Sequence, residues 1–157
     1  MELGQVLAML GAAMAVFLAG SGSAKGVGIA GQTSAGVSSE SPELNSKMMV
    51  LQILPGTQGI YGFLIAVIIM VNTGVLGGDM KAVSLMQGLV FIASALPVGI
   101  VGYFSAVHQG KVAAAGMLMV GQHPDMSGKA ITMAVMVETY AVLSLLASFL
   151  MVMSVQL

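Results

Sequence analysis

Cysteine, arginine and tryptophan are all missing from this chain of 157 residues, and charged residues make up only 7% of it. Without cysteine there is no disulfide and no thiolate metal site, and the redox compartment is left open. The shortage of charge excludes more. Soluble domains carry about 25% charged residues, so this chain cannot cover a water-facing surface and reads as an integral membrane protein. Its formal net charge of −1 excludes the basic footprint that nucleic acid requires. No Ser/His/Asp arrangement, catalytic carboxylate pair or phosphate loop is present, so the chain is not expected to be catalytic alone. The start Met1-Glu2-Leu3 lacks the basic n-region of a cleaved signal peptide, so the first apolar segment is expected to remain in the mature protein.

What is present is apolar sequence, 57% of the residues, in four runs long enough to span a bilayer. They cover about 3–35, 48–71, 82–120 and 130–155. Only helices and closed barrels satisfy backbone groups in lipid, and these runs are too long for barrel strands. The expected fold is an all-α membrane protein with four transmembrane helices. Polar connections fall at 36–47, 72–81 and 121–129. Lys25, Lys47, Lys111 and Lys129 accompany the first and third connections, and Lys81 alone marks the other side. Positive residues favour the cytoplasm, which puts 36–47 and 121–129 in the cytoplasm and both termini outside.

The chain reads as duplicated. Pro42-Glu43-Leu44-Asn45-Ser46-Lys47 matches Pro124-Asp125-Met126-Ser127-Gly128-Lys129, offset by 82 residues. Lys25 faces Lys111 at an offset of 86, and Gln58 faces Glu138 at an offset of 80. Residues 1–78 and 79–157 would each form a helical hairpin. The first helix carries Gly20, Gly22, Ala24, Gly26 and Gly28 at alternate positions. Small residues let membrane helices approach closely, and a helix small on several faces suits the inner wall of a ring. Leucine at Gly22 or Gly26 is therefore expected to disrupt assembly more than leucine at Gly62. Gly26-Val27-Gly28-Ile29-Ala30-Gly31 matches a dinucleotide fingerprint, but no strand precedes it, so it reads as helix packing. The 15 methionines read as apolar filler, and His108 as a surface or satisfied residue.

One residue resists that bland reading. Glu138 is the only charge after Lys129. A carboxylate at bilayer depth costs about 2.5–3.5 kcal/mol on insertion scales, so it calls for a partner. Pro55 removes an N–H and disfavours α geometry at Leu54, and Gly56 loosens the same turn, which can free a carbonyl for a cation. At about 100° per residue, Leu54, Thr57, Gln58 and Tyr61 fall on one arc of the second helix. Gln109 sits on the third. One carboxylate with several neutral oxygens suits a monovalent cation, whereas Mg²⁺ or Ca²⁺ would draw more carboxylates. On the residues alone, the function is that of a cation-binding or proton-binding helix bundle.

At those residues the chain resembles a known family. Leu-Pro-Gly-Thr-Gln-Gly-x-Tyr-Gly at 54–62, Gln-Gly-Lys-Val-Ala-Ala-Ala-Gly at 109–116, Met-Val-Glu-Thr-Tyr-Ala at 136–141 and Ser-Ala-Lys-Gly-Val-Gly at 23–28 are similar to the rotor-ring proteolipids of V-type ATPases, above all the bacterial sodium-translocating kind. The resemblance covers essentially the whole chain. It implies two duplicated hairpins assembling into a homo-oligomeric ring in the cell membrane, with the first and third helices inside. It implies as partners identical subunits, membrane lipid, a stator membrane subunit and central-stalk subunits, with ATP hydrolysis in a separate soluble sector. The implied sodium ligands are the carbonyl of Leu54, side-chain oxygens of Thr57, Gln58 and Gln109, and the Glu138 carboxylate, with Tyr61 hydrogen-bonding the glutamate. The nearest alternative is a ring of the same kind carrying H⁺. Alternatives of other classes are a small four-helix cation/proton-coupled antiporter and a structural membrane protein.

Overall fold

The computed structural model describes residues 2–157; Met1 lies outside the described residues. All of the regular structure described is helical: α1 (Leu3–Glu40), α2 (Asn45–Ile53), α3 (Thr57–Asn72), α4 (Leu85–Gln122) and α5 (Ser127–Met153). A tight 3-10 turn at Leu54–Gly56 joins α2 to α3, so these form one interrupted span. Four helical stretches result that are long and apolar enough to cross a membrane. Two hairpins, α1 with α2–α3 and α4 with α5, lie side by side.

The duplication is written into the boundaries. α1 and α4 are both 38 residues long, and 3-10 turns at Pro42–Leu44 and Pro124–Met126 open the two return spans. Start and end of α1, turn and α2 start each recur 82 residues later as those of α4, its turn and α5. Against that frame, Lys25 and Lys111 are one helical turn out of register, and Gln58 and Glu138 are two residues out.

The first and third connections are much shorter than the polar stretches 36–47 and 121–129 suggested, because α1 and α4 continue to Glu40 and Gln122 and the return spans start at Pro42 and Pro124. A glycine in a helix interior costs only about 1 kcal/mol, too little for Gly36 or Gly121 to end a long packed helix. The stop comes from proline. Ser41 (φ −135°, ψ 77°) and His123 (φ −136°, ψ 84°) both leave α geometry, as expected of a residue preceding Pro. At 1.5 Å per residue, α1 and α4 are about 57 Å long, well beyond a hydrocarbon core of about 30 Å. The middle connection folds back on α1. Gly74 turns it with φ +76°, and Gln5 Nε2 donates to the Lys81 carbonyl at 2.8 Å. Ser84 then caps α4: its Oγ accepts from Gln87 N at 3.2 Å, and its N–H donates to Gln87 Oε1 at 2.8 Å, a capping box.

The largest helix contact is between α1 and α4, which run parallel. It is made by small residues: Gly22 faces the backbone of Tyr103, Gly26 that of Ala106, and Gly110 that of Gly26. No side chain fits between these backbones. Gly20, Gly28 and Gly36 point into open space, so the alternate-glycine run splits into one face used within the chain and one left free. Gly62, expected to tolerate leucine better, is just as tightly closed, against Ala15 and Ala19 of α1. Hairpin packing has consumed that position.

Side chains bury in two separate apolar clusters. One gathers Ala8, Ala12, Ala15, Ile65, Ile69, Phe91, Ala95 and Val98. The other gathers Ala30, Met48, Leu51, Ala113, Met117 and Ala130. Between them, at the depth of Gln58 and Gln109, lies a polar layer. Large apolar side chains such as Ile60, Phe63, Leu64, Leu143, Leu146 and Leu150 point outward from α3 and α5, as expected of lipid-facing surface.

Candidate functional site

The polar layer is built from three spans. Pro55 has no N–H, so the chain tightens: the Leu54 carbonyl accepts the Thr57 N–H instead of a bond one residue further on. Leu54 itself keeps α dihedrals (φ −52°, ψ −48°). The expected departure of Leu54 from α geometry is therefore absent. The proline is absorbed by a change of hydrogen-bond pattern, which leaves the carbonyl beside the Thr57 hydroxyl. Thr57 Oγ1 lies 3.1 Å from Leu54 O and 3.3 Å from Gln58 Oε1.

From there the network crosses to the other hairpin. Gln58 Nε2 donates to Gln109 Oε1 at 2.6 Å, and Gln109 Nε2 donates to Glu138 Oε2 at 3.2 Å. The second carboxylate oxygen, Oε1, accepts the Tyr61 phenol at 2.5 Å. Both oxygens of Glu138 are thus held, one by each hairpin. Gln58 and Gln109 are fully buried; Glu138, Tyr61, Thr57 and Leu54 are half-buried. All six residues singled out in the sequence join one continuous network.

Its chemistry is lopsided. Leu54 O, Thr57 Oγ1 and Gln58 Oε1 crowd together, and the Thr57 hydroxyl hydrogen is the one side-chain hydrogen shared among them. Oxygen lone pairs turned inward with few hydrogens to meet them suit a cation. The nearby charge is a single carboxylate, and no group of three or more His, Cys, Asp and Glu side chains occurs among the described residues. The donor set therefore fits a monovalent ion better than a divalent one.

Two serines that were not among the expected site residues stand beside the network. Ser105 Oγ lies 3.2 Å from Gln58 Nε2 and donates to the Val137 carbonyl at 3.0 Å. Ser23 Oγ accepts the Gly59 N–H at 2.7 Å, satisfying a donor in the first turn of α3. They are 82 residues apart and so occupy the same place in the two hairpins. The available signal was Ser105 lying four residues before Gln109, hence on its helical face. His108 is exposed, in an apolar groove with Phe104 and Tyr140, and takes no part. Thr139 bonds back to Met136 O.

Comparison with known proteins agrees with this arrangement. Residues 10–69 and 92–151 each match the family described as the C subunit of ATP synthase, again one match per hairpin and 82 residues apart. The chain is 46% identical over 151 residues to the V-type sodium ATPase subunit K of Enterococcus hirae, covering 96% of this chain and 93% of that protein. It is 38% identical over 150 residues to the A-type ATP synthase subunit K of Methanocaldococcus jannaschii, covering 96% of this chain but 63% of that longer protein. A doubled family match, carried by two hairpins that share one carboxylate, shows that the chain belongs to the family of ATP synthase C subunits, as a four-span membrane member of the V/A-type ATPase subunit K kind.

Proposed function

We propose that the chain carries Na⁺ across the cell membrane as one of many identical subunits in a rotor ring, driven by ATP hydrolysis in a soluble sector. The supporting observation is the oxygen-rich, hydrogen-poor corner formed by Leu54, Thr57 and Gln58 next to an anchored carboxylate. In this reading Leu54 O, Thr57 Oγ1, Gln58 Oε1, Gln109 Oε1 and the Glu138 carboxylate take the place of the ion's water shell, as backbone carbonyls do in filters. One positive and one negative charge cancel, so the loaded site passes lipid as a neutral unit. An empty, charged Glu138 would face the large penalty of a bare carboxylate; it is therefore confined to a stator subunit that supplies a countercharge or water. Tyr61 holds the carboxylate inward between loading and release. The two hairpins meet at residues 78/79, with the Lys47 and Lys129 ends in the cytoplasm, where central-stalk subunits dock, and both termini outside.

Labelling of Glu138 with a hydrophobic carbodiimide tests the reading. The reagent attacks a protonated carboxyl, and bound Na⁺ displaces that proton. Na⁺ is expected to protect Glu138 and K⁺ is not. Equal protection by K⁺ would remove the sodium preference, and protection by neither would leave H⁺ as the cargo. In support, a subunit K from a sodium ATPase shares 46% identity with this chain.

A further inference from the structure

We propose that Ser105 is a positioning residue for the ion site, fixing which end of the Gln58 side chain faces the cation. This rests on the reading of the Glu138 network as a Na⁺ site. An amide carries an oxygen and a nitrogen of nearly the same size, and only the oxygen can ligate a cation. Gln58 is fully buried, so water cannot assist it. Its orientation is decided by what surrounds it.

The donor inventory around Ser105 settles that orientation. A serine hydroxyl has one hydrogen. Here it goes to the Val137 carbonyl at 3.0 Å, a group that can only accept. Ser105 Oγ can then face Gln58 only as an acceptor, at 3.2 Å from Nε2. Gln109 Oε1 takes the other hydrogen of the same Nε2 at 2.6 Å. With both N–H groups held, Oε1 turns toward Thr57 Oγ1 and the Leu54 carbonyl. The same hydroxyl ties α4 to α5 at the residue before Glu138. One side chain therefore sets the polarity of a ligand on one hairpin and the position of the carboxylate on the other.

Removing the hydroxyl leaves Gln58 with one acceptor instead of two, and its amide becomes free to turn its nitrogen toward the ion. In the assembled complex, Ser105→Ala is expected to raise the Na⁺ concentration for half-protection of Glu138 against carbodiimide by roughly three- to tenfold, the size of one lost neutral hydrogen bond. The Na⁺ concentration for half-maximal ATPase activity should rise in step while the maximal rate stays put. Ser105→Thr, which keeps the hydroxyl, should restore the lower value. Ser148→Ala is the matched control: Ser148 Oγ also bonds across the α4–α5 seam, to Val98 N at 3.0 Å, but touches no part of the site. Should Ser105→Ala yield no rings, Ser105→Cys keeps the bulk, weakens the acceptor and carries the same expectation. A wild-type Glu138 that Na⁺ does not protect would overturn the sodium site and this role with it. A protected wild type with unshifted Ser105 variants, or an equal shift in Ser148→Ala, would overturn the role of Ser105 alone.

Discussion

The two hairpins share a frame but not a task. Both begin with a 38-residue helix, turn at X-Pro and return at the same offset. The first returns as α2 and α3, broken at Pro55, and supplies neutral oxygens. The second returns as α5, unbroken from Ser127 to Met153, and supplies the charge. Besides its turn proline, the second hairpin has one inside its first helix, Pro97, where Ser148 Oγ accepts the adjacent Val98 N–H. A proline that leaves the helix continuous in one hairpin retimes the backbone and opens a carbonyl corner in the other. The difference teaches that duplication doubled the scaffold while the chemistry was divided: one half-buried carboxylate serves both hairpins, and the return span of the first hairpin brings neutral oxygens and a phenol to it instead of a second charge.

The hardest test of that division is to move the charge. Glu138→Gln should abolish Na⁺-coupled ATPase activity with rings still formed, because packing resides in the glycine seam. Adding Gln58→Glu to that variant should not restore activity. The Tyr61 phenol and the Gln109 amide nitrogen point at the α5 carboxylate, and a carboxylate at the fully buried position 58 would find Ser105 and Gln109 arranged for an amide. Restored pumping in the double variant would show the hairpins to be interchangeable.

Next in size is the seam between them. Gly26→Leu should destabilise the protomer by about 3 kcal/mol or more, read from detergent or heat resistance, since overpacking against backbone leaves nothing to yield. Gly62→Leu should match it. Gly28→Leu should leave the isolated protomer intact, because its Cβ direction is open. If it blocks ring assembly alone, the free glycine face lies between copies.

The smallest effects concern single oxygens. Thr57→Val and Gln109→Leu should each raise the Na⁺ concentration for half-protection of Glu138 about three- to tenfold, one neutral hydrogen-bonding group each, without lowering carbodiimide reactivity in the absence of Na⁺. A proton needs the carboxylate and one partner such as Tyr61; Na⁺ needs several oxygens at once. Unchanged protection in both variants would reduce these residues to helix packing.

Much of this was legible because membrane sequence is constrained. Four spans follow from apolar length, the duplication from the repeated Pro-acid turn, and the site from polar residues that lipid would otherwise penalise. Helix ends were less legible. The stretch from 36 was read as connection, yet in a long packed helix one glycine weighs little beside the proline at 42. Ser105 stayed hidden, and the contact of Ser23 unforeseen, because serine is common at helix seams and its meaning lies in which carbonyl or amide stands across from it. The turn at Leu54–Gly56 was foreseen in place but not in form, since proline can be absorbed by retiming hydrogen bonds as well as by bending dihedrals.

The parallel seam of α1 and α4 has one more consequence, for where the protein can give way. Glycine and alanine bring no side-chain rotamers to a joint. Where backbone meets backbone, as at Gly26 and Gly110, there is nothing to rearrange short of parting the helices. That edge of the protomer is its stiff spine. α3 and α5 touch far more sparsely, and the phenol-to-carboxylate bond between Tyr61 and Glu138 is a clasp across that looser edge. Opening the clasp would therefore disturb little packing, whereas parting the spine would separate backbones along the whole α1–α4 seam.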